Sequence, residues 1–174
     1  NSRYADIYYA PERITGYENG YEGKLFGGTA HPFAIYTHLV SNSQGQDYQI
    51  QSLPNLNYAT MVVPIGVNAA VDKEITFSTK TINLPPNLNI FLEDRPLNKF
   101  IALTQENDEY KVTLDTVLNG IGRFYLHTSE TSLKTDKANI LKNISIYQRS
   151  PNSLRISGIP YLKADITIYN ILGI

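Results

Sequence analysis

The sequence predicts an all-β protein: an antiparallel jelly-roll-like β-sandwich, followed by the opening of a small, truncated Ig-like β-sandwich. Three observations carry this. Helical periodicity is nearly absent along the chain. Short stretches alternate apolar and polar residues, as in Glu74-Ile75-Thr76-Phe77-Ser78, the mark of strands with one buried and one wet face. Gly, Asn, Asp and Pro separate these stretches at short spacing, which is turn chemistry.

The candidate strands follow in order: Ala5–Ala10, Phe33–Leu39, Tyr48–Ser52, Thr60–Pro64, Glu74–Ser78, Asn89–Glu93, Lys99–Leu103, Glu109–Leu114 and Arg123–Thr128. Glu18 to Gly28 is glycine-rich and reads as a loop around a short extended piece. Leu84-Pro85-Pro86-Asn87 is a rigid connection, because proline cannot donate into a central ladder. These elements make one sandwich over residues 1–129. Residues 130–143 are polar and Lys-rich and read as a linker. Strand patterning then resumes at Ile144–Tyr147, Ser153–Ile156 and Ala164–Leu172, with a turn at Gln148–Asn152. Three strands cannot close a core, so residues 144–174 are expected to be an incomplete domain. The opening NSRYADIYY has no signal-peptide layout and reads as mid-protein.

Composition narrows the chemistry. The net charge is -1 and the basic residues are scattered, which gives no footprint for nucleic acid. The absence of cysteine removes disulfides, thiolate catalysis and Cys-ligated zinc. No apolar run approaches the roughly 20 residues of a membrane helix.

Candidate catalytic groups are few. Glu93 and Asp94 are adjacent carboxylates next to Arg95. Neighbours on a strand point to opposite faces, so they read as a strand end that caps a turn and pairs with Arg95. His31, His38 and His127 are the only histidines and share no ligand spacing. There is no Gly-x-Ser-x-Gly elbow, and Gly23…Gly27-Gly28 lacks the ending of a phosphate loop. No catalytic, metal or cofactor site is assigned, and the chain is expected not to be an enzyme. Nine tyrosines (Tyr8, Tyr9, Tyr17, Tyr21, Tyr36, Tyr48, Tyr58, Tyr110 and Tyr125) offer a sugar-stacking platform, although tyrosine is also an ordinary strand residue. A carbohydrate-binding module of a secreted glycosidase, with a surface glycan as partner, is therefore the alternative reading.

The strongest signal is at the C-terminal end. Pro151-Asn152, then Leu154-Arg155-Ile156, then Ala164-Asp165-Ile166-Thr167-Ile168-Tyr169-Asn170-Ile171-Leu172-Gly173 resembles the opening of the type A C-terminal sorting domain of the type IX secretion system. The first turn reads Tyr147-Gln148-Arg149-Ser150-Pro151-Asn152, where the family usually has Tyr-Pro-Asn-Pro. Residues 1–129, with LFGGTAHPFAIYTHLV, LPPNLNIFLEDR and GIGRFYLHTS, resemble the β-sandwich that often precedes such sorting domains in secreted Bacteroidota surface proteins. There LEDR ends a strand and GRFYLH forms the last strand before the linker. The resemblance implies the C-terminal part of an adhesin-like protein exported across the outer membrane to the cell surface. Its implied partners are an outer-membrane shuttle barrel and the translocon, with a surface protease cutting near the junction. The implied recognition residues are Pro151, Asn152, Leu154, Ile156, Asp165, Ile166, Ile168, Tyr169, Asn170 and Gly173.

Overall fold

The computed structural model describes residues 2–26, 31–130, 145–150 and 153–157. The chain divides into two compact units, Asn1–Leu133 and Lys134–Ile174.

The first unit is all-β and sandwich-like. Its strands are β1 (Asp6–Ala10), β2 (Gly23–Lys24), β3 (Ala34–Thr37), β4 (Tyr48–Pro54), β5 (Val62–Ala69), β6 (Glu74–Ser78), β7 (Asn89–Asp94), β8 (Lys99–Ala102), β9 (Glu109–Thr113) and β10 (Leu118–Ser129). A 3-10 turn at Tyr58–Thr60 leads into β5. The large sheet runs β1-β4-β3-β5-β10-β7-β8, with β2 added on β4; β6 and β9 form a separate two-stranded sheet. One pairing departs from the antiparallel expectation: β1 lies parallel to β4, with Asp6 opposite Ile50 and Ala10 opposite Pro54. The long excursion between them, through β2 and β3, lets the chain return in the same direction, which no tight hairpin can do.

Every strand expected in the first unit has an observed counterpart, but four are longer: β4 runs on to Pro54, β7 to Asp94, and β5 and β10 extend furthest. β5 continues through Pro64, which stands opposite Tyr125 of β10. Proline is tolerated there because β3 pairs with β5 only from Ile65 onward. On that side the Pro64 carbonyl accepts the His38 N–H, and no ladder partner calls on the missing donor. β10 begins at Leu118, five residues before the expected Arg123. Its two internal glycines are absorbed by a register shift between Gly120 and Phe124, where φ is +126° at Gly120 and +121° at Gly122. The connections use left-handed Asn and Asp, as at Asp72 between β5 and β6 and Asn98 between β7 and β8.

The core forms where the β6–β9 ribbon covers the large sheet. Val63, Ile65, Val67 and Ala69 alternate inward along β5 and meet Leu53, Leu92 and Phe124. Ile75 and Phe77 of β6 and Tyr110 of β9 close the other side. The Phe77 ring lies 4.6 Å from that of Phe124, and it stacks on Tyr110 at 6.4 Å. Each fully buried large apolar side chain contributes about 1.5–3 kcal/mol relative to exposure. Tyr9 of β1 reaches Thr128 of β10, a strand it does not pair with, through a 3.2 Å hydroxyl–hydroxyl hydrogen bond. Tyr9 also meets Tyr58 edge-on at 5.2 Å. On the far side of the sheet Tyr36 lies across its ladder partner Gly66 and donates to Asn68 Oδ1 at 3.2 Å. A Cβ at position 66 would come within 2.1 Å of that ring, so only glycine fits beneath it.

In the second unit β11 (Ser145–Ser150) pairs antiparallel with β12 (Ser153–Ser157). β11 runs three residues further than expected, through Gln148, Arg149 and Ser150. The register shift between Gln148 and Ser150 absorbs these polar residues at the strand end. Of the expected linker 130–143 all but Glu130, and the whole of the expected strand Ala164–Leu172, lie outside the described residues.

Candidate functional site

Three groups of side chains stand out: two around the Glu93-Asp94 dipeptide and one of tyrosines beside β4. Adjacent residues of β7 face opposite sides, and the two carboxylates do separate. Asp94 pairs in the ladder with Phe124 and points to the core; Glu93 pairs with Tyr125 and points away from it.

Asp94 is fully buried. Its Oδ1 accepts from Arg123 Nε at 3.0 Å, and its Oδ2 accepts from Arg123 Nη2 at 2.9 Å and from Tyr110 Oη at 2.8 Å. The expected pairing with Arg95 is therefore corrected for this residue: its partner is Arg123, carried in by the β10 bulge. A bidentate guanidinium and a phenol saturate the carboxylate. Burial, reinforced by the neighbouring Asp94 carboxylate, pushes the Tyr110 hydroxyl above its ordinary value. Such a group holds its proton and acts as a tie between β9 and β7, not as an acid or base.

Glu93 keeps the expected partner. Its Oε1 accepts from Arg95 Nε at 3.0 Å, and its Oε2 lies 2.9 Å from His127 Nε2. Arg95 stacks 3.5 Å over the Tyr125 ring, and Phe100 meets the His127 ring edge-on at 5.2 Å. Burial works against ionisation of Glu93, but the hydrogen bonds from His127 and Arg95 outweigh it and hold the carboxyl below its ordinary value. The His–carboxylate pair has the spacing of a proton-transfer dyad, yet no hydroxyl is bonded to His127 among the described residues. The histidines do not converge: His38 pairs with Asp47 at 2.7 Å, and the His31 ring accepts the Phe33 N–H. Among the described residues no group of three or more acidic or His side chains is arranged to hold a metal.

The tyrosines separate by environment. Tyr36, Tyr48 and Tyr110 are buried, and Tyr9, Tyr58 and Tyr125 are half-buried in contacts already described. Tyr8, Tyr17 and Tyr21 are exposed, as is Tyr4, which the alternation of β1 did not single out. Two of them neighbour Ser52 through the backbone. Its hydroxyl donates to the Tyr21 carbonyl at 2.9 Å, and Tyr8 stands opposite it in the β1–β4 ladder. Arg13 stacks 3.6 Å over Tyr21 while pairing with Glu18, which fixes that ring against the edge.

No family model, curated protein or solved structure matches this chain.

Of the expected sorting-signal residues, Leu154 and Ile156 lie on β12, opposite Gln148 and Ile146 of β11. Pro151, Asn152, Asp165, Ile166, Ile168, Tyr169, Asn170 and Gly173 lie outside the described residues. Sequence reasoning missed the Asp94–Arg123–Tyr110 network. The signal was present: Asp94 has the same parity as Ile90 and Leu92, so an inward carboxylate needed an inward cation.

Proposed function

We propose that this chain is a non-enzymatic, C-terminal part of an exported surface protein, in which a β-sandwich is followed by a sorting signal read by the type IX apparatus. The observation that supports it is the antiparallel β11–β12 pairing, in which Leu154 and Ile156 belong to the second strand. The motif that carries the resemblance has this strand–turn–strand order. A folded signal on a polar linker reaches its translocon without displacing its cargo. The test fuses residues 130 onward, with the native continuation, to a reporter in a type IX-competent host. Extracellular reporter is expected; retention in the periplasm overturns the reading.

A second reading concerns the first unit alone. The exposure of Tyr8 and Tyr21 beside β4 favours glycan binding, because tyrosine rings stack on the apolar faces of sugars. A glycan array probed with the whole chain and with Tyr8→Ala/Tyr21→Ala checks this; equal signals from both would overturn it.

A further inference from the structure

Beside β2 a concavity of about 640 Å³ is lined by Arg3, Tyr4, Lys24, Phe26, Phe33 and Gln49, with His31 at its margin. Its volume falls in the range of small-molecule sites, roughly 300–1,000 Å³. Its charge runs against that of the surrounding unit. Residues 1–129 carry nine Lys and Arg against thirteen Asp and Glu, yet no described residue lining this hollow is a carboxylate. The other three arginines of the unit are all paired: Arg13 with Glu18, Arg95 with Glu93, and Arg123 with Asp94. Among the described residues, Arg3 and Lys24 have no carboxylate within 4.0 Å. The adjoining hollow shares Arg3 and Phe33 and reaches Glu74 on β6.

Two rings stand free at the same place. Phe26 is 99% exposed and Tyr4 is 71% exposed. The Gln49 amide donates to the Tyr4 carbonyl and anchors that residue to β4. Unpaired cations beside free ring faces match a ligand that alternates carboxylates with apolar ring faces. A guanidinium binds a carboxylate through two parallel hydrogen bonds, and an aromatic face takes the C–H face of a pyranose. An acidic peptide offers the charge without the stacking face.

We infer that this hollow binds an anionic glycan, a uronic-acid polymer in chemical class, with Arg3 and Lys24 taking the carboxylates and Tyr4 and Phe26 the sugar rings. The inference rests on the glycan-binding reading of the first unit and adds the site and the charge of the ligand. It is tested by titrating the whole chain with oligogalacturonate, a matched neutral oligosaccharide and poly-glutamate. Oligogalacturonate is expected to bind. Arg3→Gln/Lys24→Gln is expected to weaken binding by about tenfold or more, as lost charge-assisted hydrogen bonds should. Tyr4→Ala is expected to weaken it too, which a purely ionic contact would not show. Unchanged circular dichroism and thermal midpoints establish that the variants fold. Binding of neutral sugar that is indifferent to Arg3→Gln/Lys24→Gln overturns the anionic site but leaves glycan binding standing. Binding to no sugar overturns both. Poly-glutamate bound as tightly as oligogalacturonate overturns the glycan as occupant.

Discussion

The phenol of Tyr110 donates to Oδ2 of Asp94 across the interior, from the small β6–β9 sheet to the large one. The same oxygen accepts from Arg123, so one carboxylate joins three strands, β7, β9 and β10, across the two sheets. Asp94 is fully buried and Arg123 is half-buried, so removing the carboxylate strands both of its donors.

Asp94→Ala should therefore cost about 3–5 kcal/mol, the usual consequence of leaving a buried charge unpaired. Tyr110→Phe should cost only about 0.5–1.5 kcal/mol, since Arg123 still neutralises the carboxylate. Urea denaturation of both variants and of the double variant gives the coupling. Additive losses would show that the phenol and the carboxylate act independently.

Gly66→Ala should destabilise the first unit by about 1–3 kcal/mol, because the new methyl overlaps the Tyr36 ring. The clash is specific to that ring. In the Tyr36→Ala background the same change should cost much less, as thermal melts of the four proteins would reveal. An equal cost in both backgrounds would place the strain elsewhere.

Gln51 is fully buried on β4, and among the described residues neither its Oε1 nor its Nε2 has a hydrogen-bond partner. An unsatisfied buried amide costs about 1–3 kcal/mol. Gln51→Met, close in shape and without the polar atoms, should raise the denaturation midpoint. A lower midpoint would mean that the amide is satisfied in solution.

Stability should fall with acid partly through Glu93. Its carboxyl titrates below the ordinary value when folded, so the folded state binds this proton less readily than the unfolded chain. The contribution is then present above the unfolded value of about 4.3 and is lost as pH falls through the lower, folded value. The facing charged groups are Arg95 and His127. Glu93→Gln should flatten the slope of stability against pH between about 5 and 3. An unaltered slope would assign the acid sensitivity to other carboxylates.

The strands were legible because their alternation is local: Glu74–Ser78 reads as a strand and is one, with Ile75 and Phe77 inward. Boundaries failed where local chemistry met a tertiary exception. Pro64 looks like a stop, and only the short reach of β3 shows why it need not be. Gly120 and Gly122 look like breakers, and only the bulge shows how β10 passes them. The parallel pairing of β1 was invisible, since direction depends on an excursion whose length, not composition, decides it. At the candidate sites, the opposite faces of Glu93 and Asp94 followed from parity alone. Their partners on β10 did not, because no local rule sets which cation a bulge will deliver. Tyr4 and Lys24 likewise look like ordinary surface residues until the fold gathers them beside Arg3.

The β1–β4 pairing has a consequence for the order of events along a growing chain. As residues emerge one after another, Asp6–Ala10 must wait, without a mate, until Ile50–Pro54 has been made. The N-terminal strand is thus a late arrival and an early leaver. Peeling it away would bare Ile7 and Tyr9 on one side and Leu53 on the other, a sticky seam open to a second molecule. Amide exchange should begin at this margin, long before the centre around Val63 and Phe124 gives way.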